Sequence, residues 1–145
     1  MKKIKTVGVV VALLAVVVGC DSFRDPTPDN VTIRVEGDAG TPVLAIYSKN
    51  FVAGVDELGV TQVQVFTADS VFQSLPIDTV VNISIERRMF VQVETVSTDT
   101  LAVGVLINVD DRTVLSQSGG IFPDIPFQWI FLFNLQLTDV VEVVL

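Results

Sequence analysis

From Val31 onward the apolar residues of this chain recur at every second position, and most of them are β-branched. Val31-Thr32-Ile33-Arg34-Val35-Glu36 sets the pattern. Neighbouring side chains of a strand point to opposite faces, so this alternation describes half-buried strands. An amphipathic helix, whose apolar residues return three and four positions on, is excluded. Similar rows run over Val43–Ser48, over Val60–Thr67, and over Val71–Leu75 before Pro76. Val81, Ile83 and Ile85 are expected to point inward together until Arg87-Arg88 breaks the row, and Met89, Val91 and Val93 begin the next. Leu101–Val109 is apolar almost throughout, as a central strand is, and Asp110-Asp111-Arg112-Thr113 reads as a hairpin turn. Val114–Gln117, Phe127–Leu137 and Val140–Leu145 complete a set of about eight to ten strands, with turn residues every 8–12 positions or so. The prediction is an all-β chain, one antiparallel β-sandwich over residues 31–145, with a small barrel as the other closed form. Half of the residues are hydrophobic and 18% are charged, a balance that buries a core and excludes a disordered chain.

Histidine is absent, and the one cysteine is Cys20. A Ser/His/Asp triad, a Cys/His pair, a histidine zinc site and a disulfide framework are thereby removed. The remaining candidates have simpler explanations. Asp110-Asp111 lacks the oxygen-rich spacing of a calcium loop and fits a turn in which Asp bonds nearby backbone. Arg87-Arg88, a fork donor suited to carboxylate or phosphate, fits a solvated turn beside acids. A general base would have to be a carboxylate, Lys49 or Tyr47, and no spacing selects one. The expectation is a protein that is not an enzyme, with no catalytic residue, no metal ligands and no cofactor.

The N-terminus reads as an address. Lys2, Lys3 and Lys5 precede an apolar run from Val7 to Val18. That run would make roughly 18 Å of helix, short of the ~30 Å hydrocarbon core, so residues 1–19 read as a signal peptide. Val17-Val18-Gly19-Cys20 resembles the bacterial lipobox, in which the cysteine receives a diacylglycerol and becomes the first mature residue. Cys20 is therefore the expected lipidation site, with palmitate among its acyl chains. Residues 20–30 are polar, carry Pro26 and Pro28, and read as a flexible tether. Removing the three leader lysines leaves six basic against seventeen acidic residues, a net charge of −11. Such a chain repels nucleic acid and anionic headgroups, so the lipid anchor must hold it. The expected location is the cell envelope, on the periplasmic or surface face of a bacterial membrane.

Five segments carry a family resemblance. Val31-Thr32-Ile33-Arg34-Val35-Glu36-Gly37, Ala45-Ile46-Tyr47-Ser48, Ser74-Leu75-Pro76, Val91-Gln92-Val93-Glu94 and Val105-Leu106-Ile107-Asn108-Val109-Asp110 together resemble the MmpS-type transport accessory domain. The likeness spans roughly Val31 to Gln117. Ile33 replaces a usual aromatic, Ile77 a common tryptophan and Asp111 the turn glycine. The resemblance implies an immunoglobulin-like sandwich that assists a membrane transporter.

The stretch Ile121 to Leu137 is the most aromatic. Phe127, Trp129, Phe131 and Phe133 share one face with Leu135 and Leu137, and are expected to form the core ridge. On the other face Ile130 and Leu132 stand between Gln128 and Asn134, which predicts an apolar patch open to a partner. Gly119-Gly120, Pro123 and Pro126 shape a loop that presents Phe122, and Val140–Leu145 is an edge strand for β-augmentation. Phe122, Ile130 and Leu132 are thus the expected partner surface. Two functions fit: a lipid-anchored accessory module that binds an envelope protein, or a binder of an apolar small molecule or lipid between the sandwich aromatics.

Overall fold

The computed structural model describes residues 27–134 and 137–144, with side chains as far as Phe133. The expected signal peptide, Cys20 and the first part of the expected tether lie outside the described residues. Nine strands follow: β1 (Asn30–Glu36), β2 (Pro42–Val55), β3 (Thr61–Ser74), β4 (Ile77–Asn82), β5 (Arg88–Thr95), β6 (Leu101–Val109), β7 (Arg112–Ile121), β8 (Phe127–Asn134) and β9 (Leu137–Val144). They form a four-stranded sheet in the order β4-β1-β6-β7 and a five-stranded sheet in the order β3-β2-β5-β8-β9. Every ladder is antiparallel, and the two sheets pack as a sandwich.

The period-two rows become the inner faces. Val31, Ile33 and Val35 of β1 meet Val105, Ile107 and Val109 of β6 across the ladder, and all six are buried. The other sheet answers with Val43, Ala45 and Tyr47 of β2, Met89, Val91 and Val93 of β5, and Phe127, Trp129 and Phe131 of β8. Trp129 and Phe131 are completely enclosed, their rings 6.0 Å apart and nearly parallel at 12°. Phe133 is only partly buried against this core. Leu101–Val109 lies in the interior of its sheet between β1 and β7, as its apolar continuity predicts.

Two expectations need correction. The segments Val43–Ser48, Val60–Thr67 and Val71–Leu75 are parts of one hairpin, whose strands β2 and β3 are each 14 residues long. A bulge between Tyr47 and Phe51 reverses the facing of β2, so Tyr47 enters the core while Phe51 joins a separate cluster. Ser48 fixes the bulge, donating its hydroxyl to the Thr67 carbonyl at 2.6 Å and accepting the Asn50 amide at 3.0 Å. The inward row Val81-Ile83-Ile85 holds at Val81 and Ile83 but fails at Ile85. The Asn82 side chain accepts from the Ser84 amide and hydroxyl, the strand stops, and Ile85 turns out to solvent, 85% exposed.

The last residues assigned to the tether are part of the domain. The Asp29 carbonyl accepts the Ile83 amide at 2.8 Å, and the Asp110 carboxylate accepts the Asp29 and Asn30 amides. Asp110 adopts φ 49° in the two-residue turn between Val109 and Arg112. The Asp110-Asp111 pair is thus a hairpin turn, and one of its carboxylates clips the start of β1.

Candidate interaction surface

The hairpin beyond the bulge folds onto the outer face of the five-stranded sheet. Phe51 of β2, with Ala53, Val63 and Val65 beside it, packs against Phe90, Ile130 and Leu132. The Phe51 and Phe90 rings lie 6.0 Å apart at a tilt of 49°. Arg88 ties the hairpin down by donating to the Phe51 carbonyl at 3.2 Å. Arg87-Arg88 closes a turn beside Glu86 with the Arg88 side chain exposed, as expected, but its backbone is fixed: Arg87, at φ 54°, donates its amide to the Ile83 carbonyl and accepts the Phe133 amide.

This arrangement corrects part of the expected partner surface. Ile130 is 2% exposed and Leu132 is half-buried, because the hairpin already covers them. Between the glutamines, β8 spends its second apolar face on an intramolecular partner. The polar half of that face is also internal: Gln128 donates to Gln92 at 2.6 Å, and Gln92 donates to Glu94. Phe122 stands apart from both, 49% exposed in the loop from β7 to β8. There the backbones of Phe122 and Ile125 bond each other reciprocally. Beside this loop an apolar cleft of about 430 Å³ opens between the sheets, lined by Val103, Val105, Ile121, Phe122, Ile125 and Phe127, with Gln117 and Ser118 at its side.

Other apolar side chains reach solvent where the alternation gave no reason to look. Phe72 is 75% exposed on β3, an edge strand, with Phe66 and Val71 also open. At the hairpin tip Leu58 is 88% exposed, flanked by Val55 and Val60. The adjacent pair Val71-Phe72 carries the one hint available, since neighbours in a strand cannot both face the same core. β9 lies at the other edge of this sheet, as expected for Val140–Leu145, with Leu145 outside the described residues.

Asp56 holds the tip rigid. Its carboxylate accepts the Leu58 and Val60 amides, both at 2.9 Å, and the Gln62 side chain at 3.2 Å. The Val60 amide above all, with help from Leu58 and Gln62, lowers its pKa below the ordinary carboxylate value against the opposing effect of desolvation. A depressed folded-state pKa adds stability that is present above the unfolded value and is lost as the pH falls through the folded one. Tip order should therefore fail only below about pH 4. Asp56→Ala should have the same effect at neutral pH, read as faster Glu-C cleavage after Glu57 with the circular dichroism unchanged.

Lys49 and Tyr47, the two groups considered for acid–base chemistry besides the carboxylates, are already engaged or enclosed. Lys49 pairs with Glu86 at 3.3 Å and donates to the Asn82 carbonyl. Glu86 is held below the usual carboxylate range by its own amide first, then by Lys49 and Arg88. Tyr47 lies in the core, its hydroxyl without a hydrogen-bond partner among the described residues. Among the described residues no three acidic, cysteine or histidine side chains gather as a metal would require. No described helix is long and apolar enough to cross a membrane.

No protein-family model, no curated protein and no solved structure matches this chain.

Proposed function

We propose that the protein is a lipid-anchored module of the bacterial cell envelope, tethered through Cys20, that acts by binding an envelope protein and has no catalytic chemistry. The observation that carries this reading is the exposed apolar edge of β3, where Phe66, Val71 and Phe72 face water beside a core that Trp129 and Phe131 fill. An apolar edge on a filled sandwich suits contact with a partner better than enclosure of a ligand. Assistance to a membrane transporter follows from the MmpS-like segments, which fall on β1, β2, the turn before β4, β5 and β6. The immunoglobulin-like reading is supported by the order β3-β2-β5-β8 and by a chain that passes repeatedly from one sheet to the other. A second reading, an apolar small-molecule binder, draws on the cleft beside Phe122 and Phe127.

The anchor is tested by labelling growing cells with palmitate. Wild-type protein should incorporate the label and stay with membranes, while Cys20→Ser should do neither. Equal labelling of the two would end the lipoprotein reading. Phe72→Asp, on the exposed edge, should keep the fold yet release proteins that co-purify with the wild type.

A further inference from the structure

We propose that the free edge of β7, with the apolar cleft behind it, binds an extended segment of a partner protein as an added strand. This deepens the interaction-module reading and rests on it. Among the described residues β7 pairs only with β6, so from Val114 to Ile121 its other edge presents a row of backbone donors and acceptors. A second strand is the ligand that satisfies such a row.

Natural edges are kept from pairing by charge, proline or shortness. The opposite edge of the same sheet, β4, has six residues and an Asp78 paired with Arg34, and the β3 edge carries Asp69. β7 is ten residues long, and Val114 to Ile121 contains neither charge nor proline. Of the edges with described side chains, it is the one that borders an apolar cleft.

The cleft supplies the selectivity. Gly119 lies opposite the buried Val103, so the missing side chain would have pointed between the sheets. A Cβ there would meet nothing within 4 Å, and the backbone has an ordinary negative φ. The gap opens into the ~430 Å³ cleft, which no charged side chain among the described residues lines. Side chains of an added strand alternate, so every second one would face this space. The segment that fits is extended, uncharged, and apolar at alternate positions, with room for one aromatic ring. A small apolar molecule would fill the cleft but leave the edge unpaired, which favours the strand.

The test uses full-length protein solubilised from whole cells in detergent. The probe is a ten-residue peptide, capped at both ends, that alternates threonine with valine around one central phenylalanine. Hydrogen exchange read by mass spectrometry should slow over β7 when the peptide is added. Gly119→Leu plugs the cleft, and Ser118→Lys places a charge on the exposed flank of the edge. Each should weaken binding about tenfold or more while the thermal midpoint stays near that of the wild type. Equal binding by both variants, or protection at β3 or β9 instead, would overturn the proposal. So would entry of the uncharged dye N-phenyl-1-naphthylamine into the cleft while the peptide leaves β7 exchange unchanged, which would give the site to a small molecule. Protection of β7 that rises with protein concentration alone would assign the edge to a second copy and overturn the partner reading. None of these readouts depends on acylation of Cys20, so the two readings fail separately.

Discussion

Phe131→Ala is expected to remove about 3–5 kcal/mol of stability, a large part of what holds a domain of this size folded. Phe131 is completely buried, lies against Trp129 at 6.0 Å and sits opposite Met89 on the neighbouring strand. Deleting the ring leaves a cavity that two sheets pinned by their ladders cannot close. Urea denaturation followed by Trp129 fluorescence should show the midpoint collapse or the native signal vanish. A loss below about 1 kcal/mol would mean that the ridge is not the centre of the core.

The second large effect falls on the opposite face of the same strand. Read from the pattern alone, Ile130→Asp should leave the fold intact and abolish only a partner contact. With Ile130 enclosed by Phe51 and Phe90, the expectation reverses. The substitution loses an apolar side chain, worth about 1.5–3 kcal/mol, and encloses a carboxylate without a partner, which costs several more. The protein should either unfold or shed the hairpin. The two are distinguished by circular dichroism and by Glu-C cleavage after Glu57. Leu132→Asp should be milder, because Leu132 is half-buried. A folded, protease-resistant Ile130→Asp would show that the hairpin is not seated on β8.

The strands were legible wherever one face met the other sheet. Val31-Ile33-Val35, Met89-Val91-Val93 and Phe127-Trp129-Phe131 all lie inward as their alternation requires. Alternation fails where something other than the sheet decides which way a residue points. At Ser48–Asn50 a hydroxyl bonded to the Thr67 carbonyl permits the bulge that inverts Phe51, and no period in the sequence records it. At Asn82 a side-chain turn ends the strand early and strips Ile85 of its cover. Ile130 and Leu132 were correctly placed on the second face of β8. Their cover comes from residues far back in the chain, so their exposure was beyond any local pattern. Of the expected partner surface, Phe122 alone is where a partner could reach it, and the exposed Phe72 edge was found only in the structure.

The order of strands within the sheets also bears on time. The strand that ends at Glu36 pairs with one that begins at Leu101, and β5 waits for β8 across the intervening β6–β7 hairpin. Neither sheet can close until most of the domain exists as a chain, and the loop entropy of joining such distant segments is spent before any core contact returns it. Sandwiches of this kind fold over milliseconds to seconds, far slower than helices. Under the proposed export as an extended chain that delay is useful, because the domain would stay threadable until its last strands arrive.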